Sequence, residues 1–155
     1  VSEKRTTYQQ FFQQLIDELR DKHHFTNARA GQPQNWYSFA SGARGFTYGV
    51  NFAQTGELRA TVQIDTGDAS KNKWAFDALE ATRDEIERLL GERLQWERLD
   101  TRRSCRIACS TQGSIEDSAD VHERHRQWAV DRLLRLKKVF GPRLMELAKT
   151  LSEAE

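Results

Sequence analysis

The stretch Phe46-Thr47-Tyr48-Gly49-Val50-Asn51-Phe52-Ala53-Gln54-Thr55-Gly56-Glu57-Leu58-Arg59-Ala60-Thr61-Val62-Gln63-Ile64-Asp65 decides the fold. It holds two runs of period two. Phe46, Tyr48, Val50 and Phe52 fall on one face of the first, and Leu58, Ala60, Val62 and Ile64 on one face of the second, with Arg59, Thr61, Gln63 and Asp65 opposite. Strand side chains project alternately, so each run is a strand with one face in a core. Gln54-Thr55-Gly56-Glu57 has the residue types of a hairpin turn. A third run, Trp36 to Ala40, precedes them across the turn Ser41-Gly42-Ala43-Arg44-Gly45, which makes an antiparallel meander.

Outward from the meander the period changes to that of a helix. Before it, residues 5–22 put Tyr8, Phe11, Phe12, Leu15, Ile16 and Leu19 on one stripe, with His23-His24 placed to cap the end and Gly31 and Pro33 breaking the loop that follows. After it, Asp68 or Ser70 caps a helix over 71–90, with Phe76, Leu79, Ile86, Leu89 and Leu90 inward and Gly91 placed to end it. Two short strands are expected at 94–99 and 104–110, with Cys105, Ile107 and Cys109 on one face of the second. A helix from Ala119 or Asp120 to Phe140 is expected to break at Gly141-Pro142, ahead of a short terminal helix carrying Leu144, Leu147, Ala148 and Leu151. The order is α-β-β-β-α-β-β-α-α. It reads as one α+β domain over 1–155, with a mainly antiparallel sheet of about five strands packed with helices.

Composition sets outer bounds. The chain has 155 residues, 30% of them charged, and four Trp, eight Phe and three Tyr for a core. No apolar run reaches the roughly 18 residues of a membrane span, so no membrane partner is expected. The opening Val1-Ser2-Glu3-Lys4-Arg5 has no apolar signal-peptide core and no initiator Met. That fits a piece excised from a longer protein, or a trimmed tail. The two cysteines lie four apart, too few and too close for a disulfide framework, which points to a reducing, cytoplasmic setting. No nucleophile elbow, phosphate loop or dinucleotide fingerprint is present, so neither a catalytic residue nor a cofactor is assigned.

Cys105, Cys109, His122 and His125 have the ligand types of a zinc site. The cysteines, however, sit on a strand face with Ile107 between them, where cysteine acts as a small core hydrophobe. No metal ligand is assigned. Trp36, Tyr37 and Tyr48 have rings that could stack bases, but sheets bury aromatics routinely.

Charge gives the better lead. The net charge is only +1, yet it is unevenly spread. Arg102, Arg103 and Arg106 follow an acidic stretch, and Arg132, Arg135 and Lys138 share part of one helical face, with His125 near the same face. Such guanidinium and ammonium groups suit phosphate. The competing reading pairs the first three with Glu92, Glu97 or Asp100.

The order α-β-β-β-α-β over residues 5–99 resembles the core of restriction endonucleases. Their chemistry implies an acidic residue on the second strand and an acidic-x-Lys pair on the third. This chain offers Asn51 on the second, Glu57-Leu58-Arg59 at the start of the third and Asp65 at its end. Arginine does not replace a tunable lysine, and asparagine does not replace a carboxylate at a metal.

A second resemblance covers most of the chain. Tyr8, Phe11-Phe12, Leu15, Asn72-Lys73, Phe76-Asp77, Leu79, Arg83, Glu85-Ile86-Glu87, Leu90-Gly91, Leu94, Trp96-Glu97-Arg98, Arg103, Arg106-Ile107, Trp128 and Val139-Phe140 resemble the bacterial domain-of-unknown-function family 4268. The resemblance implies the C-terminal part of a longer prokaryotic protein with a nuclease-like domain ahead of it, in nucleic-acid processing or phage defence. It implies no catalytic residues. Three functional readings follow: a non-catalytic accessory module, a divergent or inactive nuclease, or a dimerisation unit built from the last helices. The partners they imply are DNA, an upstream nuclease domain of the same protein, and a second copy.

Overall fold

The computed structural model describes residues 2–154; Val1 and Glu155 lie outside the described residues. In chain order the elements are α1 (Glu3–Asp21), β1 (Trp36–Ala40), β2 (Phe46–Phe52), β3 (Glu57–Ile64), α2 (Ala69–Glu80), α3 (Arg83–Leu90), β4 (Gln95–Glu97), β5 (Cys105–Gln112) and α4 (Ala119–Glu153). The strands form one five-stranded sheet in the order β1-β2-β3-β5-β4. β4 pairs antiparallel with β5, Trp96 opposite Ile107 and Glu97 opposite Arg106. The Gly113 N–H donates to the Gly56 carbonyl at 2.9 Å, setting the end of β5 against the start of β3. The α+β class and the antiparallel sheet are those expected from the alternating runs. Among the described residues no helix is long and apolar enough to cross a membrane.

The chain forms two compact units. One takes the chain up to Phe39 with Gly49–Ala60 and Ser110–Leu134; the other takes Ala40–Tyr48, Thr61–Cys109 and the chain from Arg135 on. In the first, Phe11, Phe12, Leu15, Ile16 and Leu19 are all buried, as the helical stripe requires. Phe11 meets Phe52 edge-on at 4.9 Å, the favoured geometry for two quadrupolar rings. The loop after α1 lies flat on that helix. A Cβ on Gly31 would stand 2.7 Å from the Gln9 carbonyl, so only glycine fits, and the Gln13 amide clamps the loop through Arg29 O and Gly31 N.

In the second unit Phe76, Ile86, Ile107, Leu136 and Phe140 are buried. Trp96 lies between Phe76 (6.1 Å) and Phe140 (6.5 Å). The Glu87 carboxylate accepts from the Trp96 indole at 3.1 Å and from Leu94 N at 2.7 Å. The Cys105-Ile107-Cys109 face is buried as expected, whereas Thr61, on the opposite face of β3, is fully buried too.

Two helix boundaries differ from expectation. The helix expected over 71–90 is two helices. Thr82 ends the first: its N–H and its hydroxyl both go to the Leu79 carbonyl, at 3.1 and 3.3 Å, a tight turn that withdraws that carbonyl from the helical ladder. Asp84 and Glu85 then favour a fresh N-terminus. Conversely, the break expected at Gly141-Pro142 does not occur, and α4 runs through Pro142. A mid-helix proline costs about 3 kcal/mol. Buried Leu136, Val139, Phe140 and Leu144 hold the helix on both sides of it. The Arg143 guanidinium donates to the Val139 carbonyl at 2.7 Å, a side-chain bond to backbone beside the proline.

Candidate nucleic-acid interface

The turn that carries the first arginine cluster is built from the start of α2. Asp68 caps this helix through Lys71 N, which sets Asn72 and Lys73 in its first turn. Asn72 is fully buried and uses its whole amide. Its Oδ1 accepts from Thr66 N and Thr66 Oγ1, both at 2.7 Å. Its Nδ2 donates to Asp65 Oδ1 at 3.2 Å and to Arg103 O at 3.0 Å. The Lys73 ammonium donates to three carbonyls, Arg98 at 2.6 Å, Leu99 at 2.9 Å and Ser104 at 3.0 Å, and lies 3.4 Å from Cys105 Sγ. Burial pushes the Cys105 thiol up, with Lys73 opposing. Leu99 holds a left-handed conformation (φ 55°), which costs a residue with a side chain about 1–3 kcal/mol. One helical turn thus pins both ends of a strained loop, 98–104.

The arginines on and after that loop are mostly answered by carboxylates. Arg103 forks onto Asp65 at 3.0 and 2.7 Å, and this bond is the main cause holding the Asp65 carboxyl below its ordinary range. Arg106 forks onto Glu97 at 3.1 and 2.9 Å, across the β4–β5 ladder. Asp100 pairs with Arg98, which also forks onto Asp77 at 2.9 and 3.1 Å. The pairing expected for Glu97 is therefore present, while Arg103 takes Asp65 rather than Asp100. Arg102, at the exposed tip, has no carboxylate partner among the described residues.

On α4 the three cations divide between the units. In the first, Arg132 pairs with Asp131 at 2.5 Å and lies over the Trp128 ring at 5.4 Å. His125 does not extend an exposed cationic face. It is buried, with Nε2 2.8 Å from Asp117 Oδ2, because the loop after β5 folds against it and the carboxylate satisfies its ring. That bond is the main cause lowering Asp117. In the second unit Arg135 and Lys138 are exposed and line a cavity of about 480 Å³ with Leu89, Leu90, Val139 and Arg143. Leu89 is half exposed there, and Arg143 Nη2 lies 3.7 Å from Glu85 Oε1.

The remaining candidates have structural surroundings. Cys105 and Cys109 are buried thiols not joined in a disulfide. His122 donates to the Ile115 carbonyl at 2.8 Å. Among the described residues no three His, Cys, Asp or Glu side chains converge as a metal-holding set. Asp65 is committed to Arg103 and Asn72, and Glu57 accepts from Thr55 Oγ1 at 3.1 Å. Tyr37 stacks on Phe12 at 6.3 Å and Tyr48 is buried, whereas Trp36 is half exposed.

The family model described as a domain of unknown function (DUF4268) matches residues 7–144. The chain belongs to this family. No curated protein and no solved structure matches it. In this DUF4268 domain the matched stretch holds all six cationic candidates, together with Asn72 and Lys73. Sequence reading assigned no role to those two, nor to Leu89, Leu90 or Arg143 as the walls around Arg135 and Lys138. Asn-Lys after an N-cap aspartate gives no local sign of burial. The Arg103 carbonyl on Asn72 and all the partners of Lys73 arrive only with the return of the chain 25 to 32 residues later.

Proposed function

We propose that this chain is a non-catalytic accessory module of a prokaryotic nuclease or phage-defence protein, and that it grips the phosphate backbone of nucleic acid. The observation that carries the reading is the cavity on α3 and α4, where Arg135, Lys138 and Arg143 surround Leu89, Leu90 and Val139. Three cations around an open concavity suit a run of phosphates, and Arg102 adds a fourth on its own rigid turn. Arg103 and Arg106 contribute less than their sequence suggests, because moving them to phosphate means breaking a two-bond fork. Backbone contacts carry no base information, so binding is sequence-tolerant. The family resemblance supplies the nuclease context.

Fluorescence anisotropy on a labelled duplex across a salt series tests this. Arg135→Ala with Lys138→Ala should weaken binding and flatten the slope of log K against log salt by about 0.9 per lost phosphate contact. Arg106→Ala should leave that slope alone. No binding by the wild type at about 50 mM salt, the end of the series where phosphate contacts are least screened, would end the nucleic-acid reading.

A further inference from the structure

The two edges of the sheet are built differently. β4, at one edge, has three residues and ends in Glu97. Short length and charge are the usual devices that stop an edge from pairing with another chain. β1, at the other edge, is Trp36-Tyr37-Ser38-Phe39-Ala40, with no charge, no proline and no glycine. Trp36, Ser38 and Ala40 are exposed, and Trp36 keeps 49% of its surface.

The hydrogen-bond parity of β1 follows from one contact. The Phe52 N–H donates to the Asn35 carbonyl at 2.9 Å, so residue 35 faces β2. In an antiparallel ladder the residues facing one neighbour alternate, so 37 and 39 also face β2. Trp36, Ser38 and Ala40 then direct their N–H and C=O groups to the outer edge.

We infer that β1 pairs with β1 of a second copy, antiparallel, about a two-fold axis through Ser38. A strand meeting itself antiparallel is isologous, so every contact occurs twice. Centred on Ser38, the register sets Ser38 opposite Ser38 of the second copy and Trp36 opposite its Ala40. All three are outward-facing residues, so each forms a hydrogen-bonded pair, two bonds apiece. On the exposed face the indole of Trp36 then covers the small side chains of the other copy's Ala40 and Ser38, large against small at both ends. On the opposite face Phe39 is already covered by Phe25 and Tyr37 of its own chain, so the side-chain contacts across the axis are those of Trp36, Ser38 and Ala40. A partner strand of unrelated sequence would not repeat this complementarity at both ends, which is why a second copy is the occupant. Five residues a side fall well below the about 20–30 of a standard interface, so the dimer dissociates in the micromolar range or above.

Light scattering on the chain from about 10 to 500 micromolar, a span around that expected dissociation constant, reads the result. The mass should rise toward twice the monomer. Ser38→Pro removes the central outward N–H and puts a ring in the path of the second strand, while the bonds to β2 made by residues 37 and 39 remain, as proline on an edge allows. Ala40→Asp places a carboxylate against the electron-rich face of each indole, which repels it. Both variants should stay monomeric across the range with thermal melts close to wild type. If Ser38→Pro melts much lower, Ala40→Asp alone decides. A wild type that is monomeric throughout, or a dimer that survives Ala40→Asp, overturns the inference. Neither result touches the salt dependence of nucleic-acid binding, which rests on other residues.

Discussion

Replacing Asn72 by Ala removes four hydrogen bonds from a fully buried site. Their costs differ. The Thr66 hydroxyl lies 3.4 Å from Asp68 O and can turn to it. Asp65 keeps Arg103 and the Gly67 N–H. The Thr66 N–H and the Arg103 carbonyl lose the partner that burial gave them, and each such orphan costs about 1–3 kcal/mol. With some relief from entering water, the expected loss is about 3 kcal/mol. For a chain of this length that is about 6–12 °C in Tm. Urea and thermal melts followed by circular dichroism measure it. Asn72→Asp sharpens the argument, because shape is kept and only the donor is exchanged. At neutral pH the new carboxylate oxygen would face Asp65 Oδ1 and Arg103 O with no proton between, so this variant should be worse than the alanine. Protonation restores a donor, so the folded state raises the pKa of the new carboxyl. Such a group contributes fully below its unfolded pKa and is lost as pH rises through the folded one. The deficit against wild type should therefore shrink as pH falls into the carboxylate range. A loss below about 1 kcal/mol for the alanine, within reach of an ordinary surface change, would show that water replaces the amide and would refute the reasoning. So would an Asn72→Asp deficit that does not change with pH.

Three further outcomes are expected. Asp65, Asp77 and Asp117 all titrate below their ordinary value of 3.8 in the fold, held there chiefly by Arg103, Arg98 and His125; their contribution is complete above that value and lost as pH falls through the folded pKa values, so an acid melt of Arg103→Gln should differ slightly from wild type at neutral pH, solvent screening keeping the difference small for so exposed a pair, and converge with it at low pH. Lys73→Met strips a shared donor from three carbonyls, so hydrogen exchange at the Arg102 N–H, bonded to Leu99 O at 2.8 Å, should speed up well beyond that of β3 amides, and unchanged exchange would show that the loop holds itself. His24 ends α1 in the left-handed region (φ 52°), beside the Phe25 N–H to Leu19 O bond that closes the helix, so His24→Gly should raise stability by about 0.5–1 kcal/mol, and a lower Tm would contradict that account.

What could be read from the sequence was what depends on local period. The stripe from Phe11 to Leu19 and the alternation from Phe46 to Ile64 each fix a burial face over several repeats, and the structure keeps both. Helix ends depend on single residues whose effect is decided elsewhere. Thr82 breaks a helix because its hydroxyl finds the Leu79 carbonyl, and Pro142 fails to break one because Val139, Phe140 and Leu144 are buried around it. Neither outcome follows from propensity alone. The arginines show the same limit. Glu97 and Arg106 could be matched from sequence because a hairpin sets them opposite. Asp65 and Arg103, 38 positions apart, meet only once β3 and β5 are neighbours. The same two bonds commit the Asp65 carboxylate to Arg103 and hold the Arg103 guanidinium against β3.

The loop 98–104 shows where this domain concentrates its polar interior. Most of the core is apolar, with Thr61 and His125 buried elsewhere, yet here a buried amide, a lysine ammonium and a left-handed leucine are combined in one turn. Stability alone does not require this, since an apolar hairpin of the same length would avoid both the strain and the desolvation of Lys73. The arrangement does one thing an apolar turn would not. It fixes the backbone from Arg98 to Ser104 at both ends, while two of the arginines there, Arg98 and Arg103, are held by carboxylates. Arg102 is thereby left as the projecting cation on an immobile support. A guanidinium on a rigid turn loses little freedom when it meets an anion, whereas one on a mobile loop gives up backbone entropy first. If Lys73→Met weakens nucleic-acid binding as much as Arg102→Ala does, while melting shows the fold intact at the assay temperature, the loop is preorganised for contact. If it weakens stability alone, the polar interior serves only to close the hairpin.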